Sequence, residues 1–438
     1  MTRRRTALRI LAAIAAVAVV AGLAGAVLMP NETELARRAE NALSDRLGVP
    51  VHIGRLHWQL LPVPMVEISD ASTGQDDPVV LRRLTAWPRL GRLLHRELAF
   101  ERVSVEGARI PQLSVREFKT ATRPAPQDDG PLRLAELPLQ RAEFTDLVWV
   151  GRHEIALSFD GHVDFDPGWR PREAAAWMPE APRPARLDLH RIDGQDRWKA
   201  DVAIADGSWN GTLVLQQPSP QRLRLPGEAE PRDIEVATLT ETFKRRPVVA
   251  GRASGHTTLE AEGDTPGEMV QSLHTRTRFS AAPATVLRFD LDRAIRSLGK
   301  EHAGTTRLQS LAGTLDTRND PVGIVMRYSD LKATSGALIA SGTVVLQNRR
   351  IDAEIAVDLV DGVVGVPLKI TGPVADPTFS VPPAAVAGAA VGTAVLPGVG
   401  TVLGARIGQT LGKIFGGSKP ATGTRKAAPA PSGPPSAR

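Results

Sequence analysis

The sequence predicts a mainly β protein with one spanning helix at its N-terminus, a large antiparallel sheet accompanied by short helices, and a glycine-spaced helical segment near its C-terminus. Three observations predict this. An uncharged run of twenty residues, Ile10 to Met29, opens the chain. Much of the chain beyond it alternates apolar and polar residues with period two between Gly, Asp and Pro turns. Near the end, Gly400, Gly404, Gly408 and Gly412 each come directly after a large apolar residue.

The first run, ILAAIAAVAVVAGLAGAVLM, at ~1.5 Å per residue matches a hydrocarbon core of about 30 Å. Arg3, Arg4, Arg5 and Arg9 precede it and the acidic NETE comes after it. The positive-inside rule then puts the N-terminus in the cytoplasm and everything from Pro30 onward across the membrane, which in a bacterium is the periplasm. A cleaved signal peptide is the competing reading, since Ala24-Gly25-Ala26 has the small-x-small form of a cleavage site; against it, the run exceeds the roughly 7 to 15 residues of a usual signal core.

After Pro30, Asn31 offers a cap, acids occupy the first turn, and Leu35, Ala39, Leu43 and Leu47 share a helical face that stops at Gly48. This is a short amphipathic helix at the membrane exit. VHIGRLHWQLLPVPMVEISDAS and LAFERVSVEGARIPQLSV read as strands, and the basic segment between them, Val79 to Glu97, reads as helical. The Pro- and Asp-bearing stretch Thr120 to Pro131 marks a boundary. Beyond it, Trp198, Ala200, Val202 and Ile204 share one side of a strand. Ile351, Ala353, Ile355, Val357 and Leu359 do the same, opposite Asp352, Glu354 and Asp358, in a hairpin that turns near Asn348. Pro167 to Pro184 and Phe289 to Gly299 break the pattern, the latter as a short helix. One-sided alternation demands cover for the apolar face: a second sheet in a sandwich, or the curve of one sheet around an aliphatic trough.

Composition excludes several functions. There are no cysteines, hence no disulfides, thiolate metal sites or cysteine nucleophiles. The formal charge of +6 sits at the termini, where ten arginines and lysines lie outside residues 10–405 and leave −4 (6 − 10) for the body. With 4% aromatic residues, that body lacks the basic face and stacking platforms of a nucleic-acid binder. Asp160, His162, Asp164 and Asp166 alternate as calcium ligands could, but the later bidentate Glu of an EF-hand is missing, so they read as a polar strand face. His153-Glu154 has no paired-ligand spacing, and neither a nucleophile elbow nor a phosphate loop occurs. GVGTVLG at Gly398 to Gly404 has Leu403 where a dinucleotide fingerprint needs its third Gly. The chain reads as neither an enzyme nor a cofactor or metal protein. Arg82-Arg83, Arg92 and Arg349-Arg350 are candidates for anionic headgroups, weighed against a solvated face.

Several stretches together resemble the AsmA family of bacterial envelope proteins. LARRAENALSDRLGVPVHIGRLHWQLLPVPMVEISDAS and FERVSVEGARIPQL come after the spanning run, and LQSLAGTLDTRNDPVGIVMRYSDLKATSGALIASGTVVLQNRRIDAEIAVDL precedes VPLKITGPVADPTFSVP. Pro367, Ile370, Gly372 and Pro377 carry the closing pattern. The likeness covers roughly residues 1–115 and 286–417, and its specificity lies in the order of the stretches. It implies an elongated β-taco groove anchored in the inner membrane and extending into the periplasm. It also implies a role in moving phospholipids between inner and outer membranes and in outer-membrane assembly, with no catalytic residues. On this reading Val202, Ile204, Ile351, Ile355, Val357 and Leu359 are candidates for lining the groove. The partners it implies are phospholipids and the inner membrane, with the outer membrane or an envelope protein as a further partner. An anchored scaffold for outer-membrane proteins, without lipid transfer, is the alternative.

The resulting organisation is a cytoplasmic stub and spanning helix at 1–29, an N-terminal helix and strands at 30–120, a groove body at 121–381, a glycine-zipper hairpin at 382–417 and a basic tail, expected to be disordered, at 418–438. In the hairpin, Gly400, Gly404, Gly408 and Gly412 allow close helix packing. Val399, Leu403, Ile407, Leu411 and Phe415 form a stripe expected to dip into a membrane surface or to cap the groove's end.

Overall fold

The computed structural model describes residues 31–118 and 133–380, apart from 169, 193, 220–221, 265, 298, 321–322, 337 and 360–365. The expected spanning run, the boundary stretch, the glycine-spaced segment and the basic tail lie outside the described residues.

Helix α1 (Glu32–Leu47) opens the fold. The Asn31 side chain accepts from the Thr33 amide, and Gly48 ends the helix in the left-handed region at φ 69°. Leu35, Ala39, Leu43 and Leu47 are all buried, as their spacing predicts.

Beyond α1 lies a single 21-stranded sheet. Strands β1 (Val51–Gln59), β2 (Met65–Thr73), β3 (Val80–Pro88) and β4 (Glu97–Pro111) meander antiparallel, with α2 (Leu90–Leu94) before β4 and α3 (Gln112–Glu117) after it. β5 (Arg133–Val150) pairs with β4 in parallel. The meander then resumes antiparallel through β6 (Ala156–Asp166), β7 (Arg170–Trp177), β8 (Arg186–Arg191), β9 (Arg197–Ile204), β10 (Gly207–Val214) and β11 (Leu223–Arg232).

Two ladder positions are each shared by a pair of strands. β12 (Ile234–Glu235) continues β11 past a left-handed Asp233, and after α4 (Val236–Thr242) both pair with β13 (Val249–Gly263). α5 (Pro266–Ser272) leads to β14 (His274–Val286), and α6 (Leu291–Arg296) leads to β15 (Thr306–Leu308) and β16 (Ser310–Asp320), both of which pair with β14. β17 (Gly323–Thr334), β18 (Leu338–Gln347), β19 (Arg350–Leu359), β20 (Val366–Pro373) and β21 (Thr378–Ser380) complete the sheet. Order in space is order in sequence, and at ~4.8 Å per strand the sheet measures roughly 85 Å across its strands.

All strands among the described residues belong to one hydrogen-bonded sheet, so the one-sided alternation is carried by a single continuous sheet and not by two separate ones. The β18–β19 hairpin turns through Asn348 and Arg349, at φ 50° and 61°, the two left-handed positions a two-residue turn requires.

Two local expectations are corrected. The basic segment Val79 to Glu97 is a strand followed by one helical turn, because Leu84 and Ala86 are buried against β2 and β4. Pro167 to Pro184 contains β7, whose Ala174 and Ala176 give little polar contrast yet pair on both sides.

Buried cores lie at the two ends. α1 covers β1–β4 with Leu35, Ala39 and Leu43 against Ile53, Leu56, Val66, Ile68 and Leu84. α6 covers the other end with Leu291, Ala294 and Ile295 against Ala353, Val357, Leu368, Ile370 and Phe379. A small cluster of Ala185, Ile204, Ala205 and Ile234 sits beside α4.

Candidate functional site

The register of the ladders joins one residue from every strand except β12 and β15 into a continuous row across the sheet. It begins Trp58, Val66, Ala86, Val103, Ala142 and Val163. It continues through Ala174, Leu189, Ala200, Gly211, Ala229 and Thr257. It ends with Thr277, Leu315, Tyr328, Val344, Ala353, Ile370 and Phe379. No member is charged. Directly opposed side chains on neighbouring strands lie about 4.5–5.5 Å apart, so the row is continuous apolar surface broken only by hydroxyls.

Those hydroxyls have a definite place. Thr257 and Thr277 are buried and bond to one another, Oγ1 to Oγ1 at 2.9 Å, forming a narrow polar waist. Beside it, Tyr328 meets Phe279 edge to face at 6.3 Å. The ends of the row lie under α1 and α6, whereas Ala142 to Ala229 and Leu315 to Val344 are only half-buried.

The sheet does coil. Arg349, in the β18–β19 turn, donates to the His153 carbonyl in the β5–β6 turn at 3.1 Å. Twist alone rotates strands without bringing distant ones together, so the contact requires the sheet to bend as well, and the register shifts spread along its ladders are the kind of irregularity that bends a sheet. His153 lies below its usual pKa, first through desolvation and then through the positive charges of Arg349, Arg245 and Arg152.

The residues singled out in the sequence fall on this face, though not in one environment. Ile351, Ile355 and Val202 are half-buried on it. Val357, at 0% exposure, is sealed beneath the α6 core, and Ile204, at 9%, belongs to the cluster beside α4. Leu359 closes β19. Leu403, Ile407, Leu411, Phe415 and the four glycines Gly400, Gly404, Gly408 and Gly412 lie outside the described residues. The sequence did not single out Leu187, Leu189, Leu315, Val344 or Tyr328. Their signal is period-two alternation, but only the pairing register aligns them.

The opposite face is charged and largely self-neutralising. Arg82 and Arg83 reach Glu106 at 3.3 and 3.2 Å, and Arg102 lies 4.0 Å over the Trp87 ring. At the strand ends Arg170 and Arg191 converge on Asp196 at 2.7 and 3.2 Å, Arg191 lying opposite Trp198 at the margin of the uncharged face, and the hydrogen bond from Arg170 holds the Asp196 carboxyl below its ordinary range. Arg92 pairs with Glu97 at 2.7 Å. The alternating acids of β6 have partners too: Asp160 accepts from the Asp146 amide, Asp164 from Arg141 and Asp166 from Arg191. Two concavities of about 400 and 580 Å³ lie mainly on this charged side, the first among Arg224, Glu228, Glu260 and Arg276, the second among Arg102, Arg141, Glu143 and Asp164. Neither runs along the uncharged row.

This arrangement can hold a long, flexible apolar chain lengthwise. Its hydroxyl-bearing members are Thr257, Thr277 and Tyr328, and no group of three or more His, Asp or Glu side chains suited to a metal ion occurs among the described residues. Comparison of the chain with family models, with curated proteins and with solved structures gives no match.

Proposed function

We propose that this chain is an inner-membrane-anchored, AsmA-like periplasmic protein that holds phospholipid acyl chains along the uncharged row of its sheet. In that role it supports lipid movement between the inner and outer membranes and outer-membrane assembly. The observation that carries the reading is the row itself, unbroken by charge from Trp58 to Phe379 and half-open between its covered ends. Each methylene removed from water there contributes ~0.8 kcal/mol, while a headgroup keeps its hydration at the trough's mouth. The sequence resemblance supplies the cellular setting.

The alternative is a scaffold that captures outer-membrane proteins by adding a strand to a sheet edge. At the β1 edge, Ser44 Oγ and Glu40 Oε1 of α1 already accept from the Val51 and Ile53 amides at 2.9 and 2.7 Å. That occupancy weighs against strand addition there and favours the lipid reading.

The test places a charge in the row. Leu189→Glu is expected to lower co-purifying phospholipid about tenfold, equivalent to ~1.4 kcal/mol, while His190→Glu, on the opposite face, leaves it unchanged. Equal lipid content in both variants, with barrel proteins recovered in pull-downs, would favour the scaffold.

A further inference from the structure

One end of the sheet carries a surface that the trough does not use. The β1–β2 turn reads Leu60-Leu61-Pro62-Val63-Pro64, and Leu60, Leu61 and Val63 are 39%, 84% and 51% exposed. Most other exposed large apolar residues among those described stand singly, which is ordinary for a protein surface. Three within four residues, in a stretch uncharged from Trp58 to Val66, form a patch of the kind that marks an interaction surface.

The neighbouring β3–β4 connection emerges at the same end, because β1 and β3 run toward it and pair with β2 and β4 in register. It contributes an exposed Leu90 together with Arg89, Arg92 and Arg96, against the single acid Glu97.

Three contacts fix where the chain enters. Glu32 meets His57 Nδ1 at 2.8 Å, Glu40 meets the Ile53 amide at 2.7 Å, and Ser44 meets the Val51 amide at 2.9 Å. α1 therefore runs antiparallel to β1, and its first residue lies beside the apolar turn. Glu32 comes three residues after the uncharged run Ile10 to Met29. The end of that run and the tip at Leu61 are each within roughly 10–15 Å of the Glu32–His57 contact at ~3.3 Å per residue.

We propose that the β1–β2 turn, with the β3–β4 connection beside it, docks into the surface of the bilayer that the N-terminal run enters, Leu60, Leu61 and Val63 sinking below the headgroups. Arg89 and Arg96 face the anionic headgroups around them, Arg92 being paired with Glu97. Apolar burial combined with basic side chains is the usual basis of interfacial binding. Docking sets the sheet with its α1-covered end at the membrane. The inference rests on the anchored reading above and is independent of whether the trough holds lipid.

The absence of cysteine makes the test direct. Leu61→Cys and, at the opposite end of β4, Leu113→Cys, 52% exposed, each receive an environment-sensitive fluorophore in the full chain. Both are reconstituted into phosphatidylethanolamine–phosphatidylglycerol vesicles containing spin-labelled lipid. The proposal expects a blue-shifted probe at Leu61, quenched by that lipid at least threefold more than the probe at Leu113. Equal quenching at both positions, an aqueous spectrum at Leu61, or a chain not retained by the vesicles would overturn it. Lipid crosslinking inside the trough, measured on the same preparation, separates failure of docking from failure of the lipid reading.

Discussion

Tyr328 is the only tyrosine in the chain, and it occupies the row beside the Thr257–Thr277 waist. Desolvation pushes its phenol above the ordinary value, although the residue as a whole is only half-buried. The sign comes from proton binding: the folded chain holds this proton more tightly than the unfolded chain, whose phenol titrates near about 10. Its contribution is therefore complete below that pH and is lost as pH rises through the folded value. Ultraviolet titration of the native chain should give a single phenolate step displaced above 10, moving to the ordinary value in denaturant. A second prediction concerns Leu35, which has 0% exposure at the centre of the α1 contact. Leu35→Ala should cost about 2–5 kcal/mol in chemical denaturation, through lost burial and the cavity left behind.

Among the elements, the first five strands share a device that explains why part of this fold was hard to read. The inward pairs Ile53–Leu56, Ile68–Ala71, Leu81–Leu84, Val105–Ala108 and Phe144–Leu147 are each spaced by three residues, not two. A line of irregular backbone crosses the strands between them, with Asp70, Gly107 and Asp146 at φ 58°, 65° and 53°. Each extra residue resets the alternation and bends the sheet. In sequence that spacing imitates a helix, which is why the basic segment reads as helical when β3 is a strand. By contrast, α1 was legible to the residue, because cap, apolar face and terminal glycine agree. The parallel β4–β5 ladder was not, since its connection spans a boundary stretch with no strand signal of its own. Close packing between elements is equally specific: a Cβ at Gly161 would lie 2.5 Å from Phe144 Cζ and would also strike the Ala175 carbonyl. Gly161→Val should lower stability by about 1–3 kcal/mol through overpacking, readable as a shifted denaturant midpoint with unchanged slope.

For the whole molecule, the two faces contribute differently. The charged face is laced with exposed pairs that individually add little and are screened by salt. Raising ionic strength should therefore change the melting temperature by only a few degrees while leaving lipid retention intact. The apolar face carries the proposed function, and it was legible as a face but not as a path. Alternation shows that Ile351, Ile355 and Val202 point one way, yet only pairing register shows that Leu189, Leu315 and Val344 continue one line. Likewise, Val357 and Ile355 look equivalent in sequence, and only the α6 core seals the first while leaving the second half-open. The most direct measurement places a photo-crosslinking residue at Ile355 and, in a separate chain, at the neighbouring exposed Glu354, followed by mass spectrometry of the adducts formed in cells. The account predicts phospholipid adducts at Ile355 and none above background at Glu354. Equal lipid capture at both positions, or protein adducts alone at both, would contradict it.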